Sequence, residues 1–282
     1  MSQIEIAIDA ENKPANLPNP EVIVEQCHNP AQRTKINFRG VRLLLDNEEY
    51  YWVKFGPDIT IGEARTQDYV ARVLERNADT TVRVPSVYLA FQEGSFGYIV
   101  MEYIRGEMCG RADADLVAAS VQSLIAIESP DSVLGPVGGG FIQHPFFVDW
   151  IASRRYKSVQ QLEKHINGIL RATERRGRVR LQPEVANYGL RLCPADIHMT
   201  NFIKDDEGRI VALDFGATCF LPPSFFAFVM YRRDTLLAQL IANKVKYPKS
   251  TDVDAMSMAS YALVPYGTNE VGVPRELKYR DK

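Results

Sequence analysis

The hydrophobic pattern of the first hundred residues switches between strand-like and helical periods. Val22-Ile23-Val24, Val41 to Leu45 and Tyr50 to Phe55 are β-branched, aliphatic or aromatic runs, the last two joined by the turn-forming Asp46-Asn47, and predict a small antiparallel sheet. Gly62 to Arg76 has helical spacing, with Tyr69, Val70, Val73 and Leu74 on one stripe and Asp68, Arg72 and Glu75 off it. Val84 to Phe91 and Gly97 to Met101 predict two further strands around the loop Gln92 to Ser95. Residues 1–20 carry Pro14, Pro18 and Pro20 among polar positions and predict an extended, loosely held arm.

After Gly106 the pattern becomes mainly helical, with predicted helices at Asp113 to Ile127, Phe147 to Arg175, Pro183 to Arg191 and Pro223 to Lys244. A β-hairpin over Asn201 to Asp214 interrupts them, and the polar residues from about 265 predict a tail. The switch near residue 105 divides the chain into an arm (1–20), a β-rich part (21–104) and a helical part (105–282). The fold class is α+β.

Composition narrows the function classes. An apolar fraction of 46% and a charged fraction of 24% are those of a globular chain. A formal net charge of −2 gives no footprint for neutralising nucleic-acid phosphates. No run approaches the ~20 apolar residues that span a bilayer, and Met1 to Asn12 lacks the basic and apolar regions of a secretory signal. Cys27, Cys109, Cys193 and Cys219 form no C-x-x-C pair, which predicts reduced thiols and a cytoplasmic setting.

The chemistry concentrates in Leu192 to Gly216, where Asp196, Asn201 and Asp214 bear oxygen. The hairpin strands Asn201 to Lys204 and Arg209 to Leu213, flanking the turn Asp205 to Gly208, are expected to return Asp214 close to Asn201. A carboxylate and an amide oxygen there suit Mg²⁺, which prefers oxygen ligands and keeps several waters. Asp196, on the loop entering the hairpin, is placed to orient a hydroxyl and accept its proton. Singly, each residue is equally readable as a capping or turn side chain.

Asp196-x-x-x-x-Asn201 followed thirteen residues later by Asp214-Phe215-Gly216 resembles the catalytic loop and metal motif of the protein-kinase-like superfamily. His198, in a D-x-H-x-x-N form, looks like the aminoglycoside phosphotransferase branch, and the chain is similar to its short fungal members. The resemblance implies a two-lobed protein-kinase-like fold, a sheet-and-helix N-lobe followed by a mainly helical C-lobe. It implies that Lys54, on the third strand, contacts nucleotide phosphates while Glu63 holds it by charge pairing. Ile99 to Gly106 looks like the hinge, with Met101 as gatekeeper and the Glu102 carbonyl and Ile104 N–H reading adenine. Asp196 is then the catalytic base, Asn201 and Asp214 the metal ligands, and Mg-ATP the donor to a hydroxylated small molecule.

Two features depart from the family. No glycine-rich phosphate loop is recognisable between the first two strands, where Asn29 to Thr34 is the candidate covering turn, and Pro194 stands where the family usually has a histidine. They leave open a catalytically weak or inactive nucleotide-binding scaffold. Gly135 to Gly140 lacks the Lys-Ser/Thr of a P-loop and is read as a connection. The early Pro222-Pro223 and the lack of Ala-Pro-Glu after Gly216 disfavour a protein kinase.

Overall fold

The structure, a computed structural model, describes residues 3–29, 40–44, 50–77 and 80–277. The chain forms two compact units, one of Met1–Glu107 with Ile203–Gly216 and the other of Met108–Phe202 with Ala217–Lys282. The α+β class expected from the sequence is the one observed. Residues 203–216 join the first unit, instead of following the helical part, because their strands pair there.

The first unit contains β1 (Ile4–Asp9), α1 (Pro20–His28), β2 (Gly40–Leu44), β3 (Tyr50–Gly56), α2 (Ile61–Glu75), β4 (Val82–Arg83), β5 (Val87–Glu93), β6 (Phe96–Glu102) and the start of β7 (Gly106–Met108). Five strands form an antiparallel sheet ordered β1-β5-β6-β3-β2. Period-two alternation gives it two buried faces. Tyr51, Val53, Tyr98 and Val100 pack with Ile23 and Cys27 of α1, while Trp52, Ile99 and Met101 pack with Ala64 of α2.

Two expectations for this unit are corrected. Val22-Ile23-Val24 is helical, because Asn19 caps α1 by accepting from the Val22 N–H at 3.0 Å and Pro20 opens the first turn. The expected loose arm contains β1, whose residues pair with β5 from Ile4↔Glu93 to Asp9↔Leu89. The Asp46-Asn47 turn and most of the Asn29 to Thr34 turn lie outside the described residues.

The second unit contains α3 (Ala114–Ile125), α4 (Val159–Ala172), α5 (Leu181–Tyr188), β8 (Arg191–Pro194), β11 (Thr218–Leu221), α6 (Pro223–Arg232), α7 (Leu236–Ile241) and α8 (Val253–Leu263). β8 and β11 pair antiparallel, with Pro194 opposite Thr218. The remaining strands, β9 (Phe202–Asp205) and β10 (Ile210–Ala212), form the expected hairpin inside a sheet ordered β4-β10-β9-β7.

The helix expected over Phe147 to Arg175 begins only at Val159. Asp149 and Trp150 both take positive φ, and Asn269 pins the loop through the Val148 N–H and the Val148 and Ile151 carbonyls. The helix expected over Pro223 to Lys244 is split by left-handed Arg233 (φ 52°). The one expected to reach Arg191 stops at Tyr188, with Gly189 at φ 71°. The cysteines are buried and unbridged, and among the described residues no helix is long and apolar enough to cross a membrane.

Candidate active site

Strand alternation puts Lys54 on the α2 side of β3, and helix capping puts an acid in front of it. Thr60 caps α2 by accepting from the Glu63 N–H at 3.1 Å, which fixes Glu63 in the first turn. The Glu63 carboxylate is buried, with 2% side-chain exposure, and pairs with the Lys54 ammonium. Asp214, just beyond β10, completes the cluster with Oδ1 2.7 Å from Lys54 Nζ.

Three charged groups share this corner, and their order of burial matters. Burial pulls the Lys54 pKa down, but the carboxylates of Glu63 and Asp214 reverse this and hold it above its ordinary value. The ammonium therefore stays charged at neutral pH. Asp214 is nearly half exposed at 45%, so its carboxylate is reachable from solvent where that of Glu63 is not. Its backbone is left-handed (φ 56°), and Oδ1 also accepts from the Gly216 N–H at 3.1 Å. A Cβ on Gly216 would lie 3.2 Å from Asp214 Oδ1 and 3.6 Å from Lys54 Nζ, so glycine keeps the approach to this cluster open.

Asp196 and Asn201 lie together in the second unit. Asn201 is buried and donates from Nδ2 to both the Asp196 carbonyl and Asp196 Oδ2, each at 3.0 Å. That orientation presents the amide oxygen as its donor atom for a hard cation. The loop is held by the Ala195 N–H on the Ala217 carbonyl at 2.9 Å and by the Thr235 hydroxyl on the Ile197 carbonyl. Pro194 ends β8, where its fixed φ suits the strand terminus. His198 caps the short turn Met199–Asn201, with Nδ1 accepting from the Thr200 N–H at 3.3 Å.

Met101, Glu102 and Ile104 line the end of β6. Met101 is buried, and its sulfur accepts from Gln67 Nε2 at 3.3 Å. Glu102 directs its carboxylate to Arg83 Nη1 at 2.9 Å, while its N–H reaches the Ser86 carbonyl at 2.9 Å. Ile104 is buried. Sequence reasoning missed Gln67, Arg83 and Asp205. Arg83 Nε binds Asp205 Oδ2 at 3.1 Å and so ties the end of β6 to the β9–β10 hairpin. Only an acid at the turn of that hairpin hinted at the link, since the partners are far apart in sequence.

Asp214 and the amide of Asn201 each offer an oxygen, the donor type that magnesium takes.

No family model matches the chain, and no curated protein matches it by sequence. Several solved structures are similar to it. An aminoglycoside phosphotransferase from Alicyclobacillus acidocaldarius is 13% identical, with 96% of this chain and 90% of that one covered and a TM-score of 0.46. A thermostable mutant of the aminoglycoside phosphotransferase APH(4)-Ia is 15% identical, with 82% and 84% covered and a TM-score of 0.48. The choline kinase LicA from Streptococcus pneumoniae is 16% identical, with 89% and 86% covered and a TM-score of 0.44. At such identities function has to be argued from Lys54, Glu63 and Asp214 themselves.

Proposed function

We propose that the chain is a magnesium-dependent phosphotransferase that moves the γ-phosphoryl group of ATP to a hydroxyl of a small molecule. The observation that carries this reading is the Lys54–Glu63–Asp214 cluster: a buried acid fixing an ammonium, with a second, reachable carboxylate on the same ammonium. A purely structural ion pair needs one acid. Two acids on one lysine, one of them accessible and in a left-handed conformation, suit an ammonium and a metal ligand that receive phosphate.

Each residue then has one task. Lys54 binds phosphate oxygens and Glu63 keeps it aimed. Asp214 and the amide oxygen of Asn201 would hold magnesium, which when bound would supply neutralising charge to the phosphates. Asp196, steadied by Asn201 Nδ2, accepts the proton of the acceptor hydroxyl. The acceptor oxygen bonds to the γ-phosphorus as the bond to the β-phosphate bridging oxygen breaks, and ADP leaves. Met101 backs the base, with Glu102 and Ile104 offering main-chain groups to its edge.

The test is ADP release from Mg-ATP in the presence of a panel of hydroxylated metabolites. Acceptor-dependent ADP release that vanishes in Asp196→Asn, while that variant still binds Mg-ATP, supports transfer. Nucleotide binding with no acceptor-dependent release across the panel favours the scaffold reading.

A further inference from the structure

The second unit has a cavity of about 850 Å³ with none of the residues assigned to phosphotransfer in its lining. One wall is α4 from Glu163 onward with the loop after it, and the other is the segment around Gly272 to Glu276. The two walls meet backbone to backbone. A Cβ on Gly168 would lie 2.0 Å from the Gly272 carbonyl oxygen, and Gly272 itself has φ +72°, so both positions require glycine. His165, buried in α4, reinforces the seam by bonding the Val271 carbonyl at 3.0 Å.

The lining is strongly basic in a chain whose formal net charge is −2. Arg171, Arg175, Arg178 and Arg275 face it, and none of the four has an ion-pair partner among the described residues. The two acids in the lining are already engaged. Glu163 accepts from the Leu181 and Gln182 N–H groups at 2.7 and 3.0 Å, and Glu276 pairs with Lys164 at 3.1 Å. All four are exposed, and four like charges around one concavity raise the local concentration of anions there. Guanidinium groups match phosphate oxygens two at a time, and the volume exceeds what one phosphate fills.

We propose that this cavity is a binding site for a small molecule bearing two or more phosphate groups, held by Arg171, Arg175, Arg178 and Arg275. The glycine seam supplies a rigid floor and the arginines supply recognition. The site is separate from the residues assigned to phosphotransfer and does not depend on that assignment.

Calorimetric titration of the full chain with inorganic tripolyphosphate, at ~0.15 M salt and without divalent metal, tests this, because loose surface attraction is largely screened under those conditions. Tripolyphosphate should bind at least about tenfold more tightly than inorganic phosphate, and Arg171→Gln/Arg175→Gln/Arg178→Gln should weaken it by at least about tenfold. Each single Arg→Gln change should weaken it severalfold, so the outcome does not hang on the triple variant folding. Equal affinity for the two anions, or tripolyphosphate binding unchanged in the single and triple variants, would overturn the proposal.

Discussion

Lys54 and Asp214, 160 positions apart in the chain, meet at 2.7 Å with the buried acid Glu63 on the same ammonium. Glu63 cannot be rehydrated where it stands. Removing Lys54 takes the opposite charge away from a buried carboxylate, whereas removing both charges does not leave that imbalance.

Lys54→Ala is therefore expected to destabilise the first unit by about 3–5 kcal/mol in urea unfolding. Lys54→Met combined with Glu63→Gln should recover most of that loss, while still abolishing nucleotide binding. Equal destabilisation by the single and double variants would show that packing, and not charge pairing, holds this corner.

Asp205 makes the junction between β6 and the hairpin sensitive to acid. Burial raises its pKa, but the Arg209 N–H, Arg83 and the other donors around it overcome this and hold it below its ordinary 3.8. A depressed carboxylate contributes stability above the unfolded value that is lost as pH falls through the folded one. The wild type should accordingly lose stability below pH ~4, and Asp205→Asn should be less stable at neutral pH with a shallower acid limb. Parallel melting profiles for the two proteins from pH 2 to 7 would contradict this.

Glu184 of α5 has the opposite sign. Burial pushes its pKa up to about 7, only partly offset by Ser224, and one carboxylate oxygen has no hydrogen-bond partner. The folded chain then holds a proton that the unfolded chain releases near 4.5, so stability falls as pH rises from about 4.5 to about 7. Glu184→Gln should raise the melting temperature at pH 8 and have little effect at pH 4. A loss of stability at pH 8 would be the contrary result.

Thr235 holds the Asp196 loop from behind, because its hydroxyl donates to the Ile197 carbonyl and accepts from the Ala238 N–H at 3.0 Å. Thr235→Val loses both bonds and Thr235→Ser keeps both. Turnover should fall about tenfold or more in the valine variant with the KM for ATP little changed, and serine should restore it. A rise in KM with kcat preserved would place Thr235 in nucleotide binding instead.

Local rules carry far in this sequence where one element decides the outcome. The stripe of α2 and the apolar β3 around Lys54 are visible as periodicity, whereas the pairing of Lys54 with Glu63 is implied by the family resemblance alone. Val22-Ile23-Val24 misleads because three β-branched residues outweigh, by composition, the Asn19-Pro20 helix start just ahead of them. Arg233 and Trp150 give no warning, since neither residue type favours the left-handed backbone that tertiary contacts impose. Arg83–Asp205 left only the turn acid as a hint, because an ion pair 122 positions apart leaves no periodic trace.

The most direct measurement is a thermal-shift titration with ATP, with and without magnesium, on the wild type and Asp214→Asn. Asparagine tolerates the left-handed backbone at 214 and removes only the charge, so the fold should survive the change. A ligand that binds the native state raises its apparent stability. A magnesium-dependent rise in the wild type that is lost in Asp214→Asn is the predicted result. No rise at millimolar ATP, or an equal rise in both proteins, would contradict the assignment of Lys54 and Asp214 to Mg-ATP.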